Sequence, residues 1–449
     1  MCLYILYGFS KKVHENTIWL IPLQKCGLSS FDYPLQDGSP VGHKVPSVGV
    51  LSKIRKEVYE RFYFYNPCKV YFGKSQLKHL PEELLHYGKM VLLVYGGGSI
   101  KKNGLYEAVT RLMMENGFPW VELAGVQANP RHTVINKGTA ICREKGVEVI
   151  LAVGGGSVID SAKGIAATAV SEYSDVWELV KVSASVEKAL PIIVLLTSAA
   201  TGSEMNTWSM VSNVETNEKK CLGGPGLLPK VAFENPEASF SLSKYQTACG
   251  GFDILNHVLD NYYFAGDSTF EITLELQEAV MRTAAKFTPI AVENPNNYEA
   301  RANLMWASSL ALSNILGDMH HGACHAIAHE LSAYYDITHG HSLAIITPRW
   351  LQYIMDEKTA PAISRLGKKV FGLDVELDPI VGAQKSIEAV NQFCFQILRL
   401  QSTLTELGIS DESFEEMAHH ACASFPNLTI PGLRSLTPQD VKSIYKMCL

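Results

Sequence analysis

At 449 residues, with 47% hydrophobic and 19% charged positions, the chain has the composition of a globular protein with ample length for a large core. A formal charge of −6 and no basic run longer than two residues argue against a polyanion-binding surface, so nucleic acid is not an expected partner. No apolar run reaches the length of a membrane span, the apolar start MCLYILYGFSKK lacks a basic n-region and a cleavage site, and the ten cysteines form no CxxC, which together predict a reduced, cytoplasmic protein with no membrane attachment.

Residues 1–60 read as an extension of unknown role. Four prolines interrupt them, LQDGSPVGHKVPSVG reads as loop, and KIRKEVYERF as the start of a short helix. From there the text turns orderly. FYFYNPCKVYFG is a hairpin or edge-strand signal, followed by the helix LKHLPEELLHYG and the strand KMVLLVYGGG. The alternation continues through NGLYEAVTRLMMENG, WVELAG, ANPRHTVINKGTAICREKG, VEVILAVGGGSVIDSAKGIAATA and PIIVLLTSAATGSE, where a strand breaks into a polar loop. Such β-α-β alternation predicts a mostly parallel sheet with helices on both faces over residues 61–240. Near 238–242 the period becomes helical and stays so, which predicts an all-helical domain over 241–449. The fold class is therefore α/β plus all-α, with a Rossmann-like domain first.

Two strands end in glycine turns: Gly96, Gly97, Gly98 and Ser99, then Gly154, Gly155, Gly156 and Ser157. Glycines there let backbone amides approach a phosphate, and the next helix adds its dipole. Each turn alone is also what a tight αβ connection needs, but two at carboxyl strand ends suit a nucleotide. Neither is GxGxxG or a P-loop. The first turn runs on through Lys101 and Lys102 with no carboxylate to hold a ribose 2′-hydroxyl, which favours NADP over NAD; the alternative is that both lysines are simply solvated.

The stretch HHGACHAIAHELSAYYDITHGH, from His320 to His341, holds six of the fourteen histidines. His321, His325 and His329 recur every four residues, and GGFDILNHVLD places Asp253 and His257 at the same spacing, so each set shares a helix face. Imidazoles with one carboxylate suit a borderline divalent metal such as iron or zinc. Any single histidine could instead cap or pack, and Cys324 is either a soft ligand or a buried thiol.

Taken together and in order, YGGGSIKKNG, ANP, GGGSVIDSAK, TSAATGSEMN, GGFDILNH and CHAIAHELSAYYDITHG resemble the iron-containing (group III) alcohol dehydrogenase family over about residues 60–449, closest to its NADPH-dependent butanol dehydrogenase and aldehyde reductase branch. The resemblance implies a dehydroquinate synthase-like fold and a metal, Fe2+ in this family with zinc or another divalent ion possible, held by Asp253, His257, His325 and His339. It places His329 beside the substrate, where it can relay a proton. It assigns cofactor contacts to Gly96 through Ser99, Lys102, Asn129, Gly154 through Ser157, Asp160, Thr197, Thr201 and, on a poorer local match, Lys219. It gives His320, His321 and His341 no role, and it notes Asp260 only as a harmless replacement of a common Glu. The implied reaction moves a hydride between NADP(H) and a primary alcohol or aldehyde, in a homodimer for which the aromatic stretch around Tyr63 to Phe72 is the candidate pairing edge.

Two other readings stand beside it. A metallohydrolase would want HExxH, whereas the order here is HxxxHE and Glu330 is expected off the metal face. A non-catalytic NADP- or metal-binding sensor is compatible with every motif. Trp177, Phe252, Tyr334 and Tyr335 are pocket or core with equal claim.

Overall fold

Aliphatic runs without alternation, such as VLLVY, VILAVG and IIVLL, form strands buried on both faces, the pattern parallel sheets require. The computed structural model describes residues 64–182, 185–264, 270–317, 319–320, 322–374 and 378–449, all within a unit running Tyr59–Leu449. The N-terminal extension, with KIRKEVYERF, lies outside the described residues.

Six strands, β1 (Lys69–Phe72), β2 (Val91–Tyr95), β3 (Trp120–Leu123), β4 (Val149–Gly154), β5 (Ile192–Leu196) and β8 (Val231–Glu234), make one all-parallel sheet in the order β1-β8-β5-β4-β2-β3. One face carries Leu93, Leu151 and Leu195 against helices α1 (Leu80–Tyr87) and α3 (Leu105–Glu115). The other carries Leu92, Ile150 and Val194 against α4 (His132–Lys145), α5 (Gly156–Val170) and α6 (Val176–Lys181). Each such side chain, fully buried, stabilises the fold by about 1.5–3 kcal/mol. The short α2 (Ser99–Lys102) follows the first glycine turn.

The aromatic stretch before Gly73 yields a single edge strand, β1, rather than a hairpin, because its partner β8 lies 162 positions on in the sequence and pairs in parallel, Lys69 with Val231. A hairpin does occur beyond the polar loop, over residues the sequence reading left unassigned: β6 (Trp208–Asn213) pairs antiparallel with β7 (Glu218–Gly223), apart from the main sheet.

After Glu234 the chain is helical. Helix α7 (Lys244–Val258) opens with a Ser243/Gln246 capping box and is buried from Thr247 onward, so it forms the axis of this half. It runs into a π turn, Leu259–Tyr263. Around it pack α8 (Glu271–Glu293), α9 (Tyr298–Ala311), α10 (Ala323–Tyr335) and α11 (His339–Ile354), with α12 (Ala360–Val370), α13 (Pro379–Asn391), α14 (Phe414–Ala423) and α15 (Pro438–Met447) outside. The fold is thus a parallel-sheet domain followed by an all-helical one. Among the described residues no helix is long and apolar enough to cross a membrane.

Candidate active site

Three helices converge on one point. Asp253 and His257 stand one turn apart on α7, His325 is in the first turn of α10, and His339 begins α11. One ligand atom from each lies within 4.8 Å of the other three. His257 Nε2 and His339 Nε2 are 3.6 and 3.8 Å from Asp253 Oδ1. The helices can come this close because α11 starts His339-Gly340: a Cβ at Gly340 would lie 2.1 Å from the carbonyl oxygen of Cys249 on α7.

The cluster has the electrostatics of a cation site. Asp253 Oδ1 and His325 Nε2 are buried with no hydrogen-bond partner, an expensive arrangement unless a ligand takes them. Burial pushes the Asp253 carboxyl up to about 7 and holds the His257 and His339 imidazoles well below their usual range. Neutral imidazoles and a carboxylate starved of positive charge are a donor set for a divalent transition metal, so these residues fit one.

Asp260 completes the cage from outside. From the π turn its Oδ2 accepts from both the backbone N–H and Nδ1–H of His325, at 2.8 and 2.9 Å. A carboxylate can only accept, so the proton sits on Nδ1 and the Nε2 lone pair faces the centre. The first of these bonds also caps α10, whose N-cap Gly322 has no side chain to do so. Asp260 thus orients the His325 ring, a role the sequence reading did not give it. Its position one turn past His257 hinted at the site, but nothing in the sequence says which histidine it meets.

Beside the cage opens a cavity of about 540 Å³ lined by Asn129, Gly156, Ser157, Asp160, Thr201, Lys219, His257, His325, His329 and His339. It therefore gathers residues expected to touch dinucleotide and residues expected to touch metal. The His329 ring stacks on His339, centroids 5.0 Å apart, and faces this space. Lys219, delivered by β7, donates to Asn129 Oδ1 at 3.0 Å, and Asn129 donates to Asp336 Oδ1 at 2.8 Å. Asp336 ends α10 in the left-handed region and also pairs with Arg131 at 3.3 Å. Burial lowers the Lys219 ammonium to about 8. Asp336, within CHAIAHELSAYYDITHG, and Arg131, directly after ANP, were given no role by the sequence reading.

Asp160 lines the cavity but spends both oxygens internally, accepting from Ser203 Oγ at 2.6 Å and from the Met210 amide at 3.1 Å. The remaining expected contacts do not line this cavity. Gly154 accepts from the Thr197 amide at 3.0 Å, joining the second glycine turn to the loop after β5, with Gly155 between. Gly96, Gly97, Gly98 and Ser99 form an open turn at the end of β2, where a Cβ on Gly97 or Gly98 would meet nothing within 4 Å. Lys101 turns back over the rings of Tyr95 and Tyr106, at 5.2 and 4.5 Å, while Lys102 is exposed.

The structure also places the residues whose roles the sequence left open or denied a metal role. Glu330 lines the same cavity as the histidines, because α10 is covered by α14 and β7 as well as by the cage. Burial pushes its carboxyl up to about 8. Trp177 and Phe252 belong to the cores, and Tyr334 and Tyr335 pack against the helical one; the apolar lining is instead Met210, Leu312, Met319, Ala326, Ala421 and Phe425. Cys324 is fully buried and outside the ligand cluster. His341 is structural, held by the Tyr245 hydroxyl and the Gln401 carbonyl. His320 is exposed at the cavity rim, and His321 lies outside the described residues.

Residues 67–236 match the family described as iron-containing alcohol dehydrogenase, and residues 247–449 the C-terminal region of the same family. The chain is 44% identical to NADH-dependent butanol dehydrogenase A of Clostridium acetobutylicum over 382 residues, 85% of this chain and 97% of that protein. It is 30% identical to the NADPH-dependent aldehyde reductase YqhD of Escherichia coli over 365 residues, 78% of this chain and 90% of that one. The crystal structure of NADH-dependent butanol dehydrogenase A from Thermotoga maritima superposes with a TM-score of 0.80 at 37% identity, covering 87% of this chain and 98% of that one. These relatives fall on both sides of the butanol dehydrogenase and aldehyde reductase division.

Proposed function

The chain belongs to the iron-containing alcohol dehydrogenase family, a metal-dependent oxidoreductase of alcohols and aldehydes, and we propose that it interconverts short linear aldehydes and primary alcohols with NADP(H), in the cytoplasm. The observation that carries this reading is the single cavity in which Asn129, Ser157, Thr201 and Lys219 face the four converging side chains Asp253, His257, His325 and His339.

In this reading the three histidines and Asp253 hold Fe2+ or a comparable divalent ion. When bound, the ion supplies Lewis acidity toward a carbonyl oxygen and the nicotinamide supplies the hydride. The protein contributes position. Lys219, fixed by Asn129, presents a donor toward the cofactor from the hairpin, and the glycine turns with Thr197 and Thr201 receive its backbone. His329, stacked on His339 and open to the cavity, passes a proton to the nascent alkoxide or takes one from an alcohol. The apolar lining from Met210 to Phe425 excludes water and suits an alkyl chain.

NADP(H) is favoured by the first turn: Gly97 leaves room, Ser99 and Lys102 offer donors, and no carboxylate of that turn opposes a 2′-phosphate. NAD(H) is the second reading, favoured by relatives at 37–44% identity whose names carry NADH. A homodimer paired through the β1 edge is part of the proposal, supported by the exposed Phe64 and Phe72 there.

The test is oxidation of NADPH and of NADH by butanal, on protein reconstituted anaerobically with ferrous iron, with zinc or with no metal. Metal-dependent turnover with NADPH is the expected outcome. Turnover chiefly with NADH overturns the reading of Ser99 and Lys102, and none with either cofactor overturns the substrate class.

A further inference from the structure

The loop Thr197–Met205, which the reading above makes part of the dinucleotide seat, is clasped from below by two adjacent serines of α9. Ser308 Oγ accepts from the amides of Ala200 and Gly202, at 3.0 and 3.2 Å. Gly202 has a φ of 57°, and a Cβ there would lie 2.5 Å from the Ser308 carbonyl oxygen, so loop and helix are in backbone contact. Ser309 Oγ lies 2.8 Å from Glu204 Oε1, 3.1 Å from Glu234 Oε1 and 3.1 Å from the Met305 carbonyl oxygen. Glu204 belongs to the loop and Glu234 ends β8. Both glutamates and Ser309 have no solvent exposure, and the second oxygen of each carboxyl has no partner.

Proton counting constrains this group. A serine hydroxyl has one proton to give, and it faces three acceptor oxygens. If both carboxyls were ionised, two of those contacts would be lone pair against lone pair, inside a site with no water-exposed surface. The neighbouring charges do not supply the missing proton. Lys163 has its three N–H groups directed at Asn206 O, Asn206 Oδ1 and Trp208 O, between 2.7 and 2.9 Å. Asp160 is committed to Ser203 and Met210, and the Cys68 thiol donates to the Glu204 backbone carbonyl.

We propose that Glu204 and Glu234 hold one proton between them through Ser309, and that this shared proton keeps the cofactor loop seated on α9; the three are positioning residues for the dinucleotide. The consequence for binding rests on the functional reading above, whereas the proton sharing does not. Burial raises both carboxyls above the usual glutamate range, Glu234 the more strongly, with Glu204 adding repulsion. A raised carboxyl pKa in the folded state means the native protein binds the extra proton. Stability from this pair is full below the ordinary value of 4.5 and is lost as pH rises through the folded value.

The experiment measures NADPH and NADH dissociation constants by cofactor fluorescence, and thermal midpoints, across pH for wild type, Glu234→Gln and Glu204→Gln holoenzymes. In wild type, affinity weakens by up to about tenfold per pH unit once the shared proton leaves, the limit for one linked proton. Glutamine supplies a permanent donor, so the variants show a flatter affinity profile and a flatter decline of thermal midpoint with pH. Lys219 also titrates, but has no charge contribution from either glutamate; Lys163 is raised in part by Glu204, so Glu234→Gln is the variant in which its titration is left in place. Parallel profiles in wild type and in whichever glutamine variant folds overturn the proposal. Failure of wild type to bind either dinucleotide at neutral pH sinks the functional reading instead, and the midpoint profiles then still decide whether the proton is shared.

Discussion

The metal cage and the first glycine turn sit in one chain but are built by opposite means. The cage is made of side chains driven together by buried helices, with unpartnered ligand atoms and a carboxylate, Asp260, that sets a tautomer. The turn is made of exposed backbone with open space around Gly97 and Gly98. A site of the first kind holds its geometry before its ligand arrives and fails when any one side chain is lost. One of the second kind is shaped by its ligand and is tuned rather than destroyed by substitution.

The largest expected effect attacks the cage. His257→Ala removes a ligand from the buried α7, and turnover should fall on the order of 10³-fold or more, since several kcal/mol of Lewis-acid stabilisation goes with the metal. Iron content by elemental analysis and kcat/KM check it together; full activity in a metal-free variant defeats the assignment. Asp260→Ala leaves all four ligands but frees the His325 ring, and metal affinity measured by chelator competition should drop roughly 10–100-fold, the usual cost of losing such a partner. Asp260→Glu should recover part of it.

The turn should respond more gently. Gly97→Asp places a carboxylate where a 2′-phosphate is expected and should shift the NADPH-to-NADH preference by roughly 10–100-fold, the worth of about one charged hydrogen bond, with metal content unchanged. The smallest and most direct comparison puts one methyl group in each region. Gly340→Ala forces a Cβ against the Cys249 carbonyl and should cost about 1–3 kcal/mol by overpacking. Gly97→Ala meets no atom within 4 Å and should leave the thermal midpoint within the scatter of surface substitutions. Equal losses of midpoint would erase the distinction between the two regions.

What could be read from the sequence follows the same division. Asp253 with His257 and the run through His325 to His329 were visible because helical spacing alone puts them on a face. The two glycine turns were visible because each follows an aliphatic run. The links that make a site of these pieces were not. Lys219 meets Asn129 across 90 positions, and Asp260 meets His325 across 65. Such contacts depend on how α10 and the β6–β7 hairpin are placed, which no local period encodes. Glu330 stays out of the metal cluster, as its spacing implied, yet still lines the cavity: on a helix covered on several sides, leaving the metal face does not mean leaving the cavity. The pair Glu204 and Glu234 lacked any signal, since a buried carboxyl looks like a surface one until its neighbours are known.

Asp336 ties the start of the cage to the hydrogen-bonded pair Asn129 and Lys219 across the cavity. It closes α10 three residues before His339 and at the same time holds Asn129, which holds Lys219. Were ordering at one seat to order the other, thermodynamic reciprocity would require metal and dinucleotide to tighten each other by the same factor, whichever arrives first.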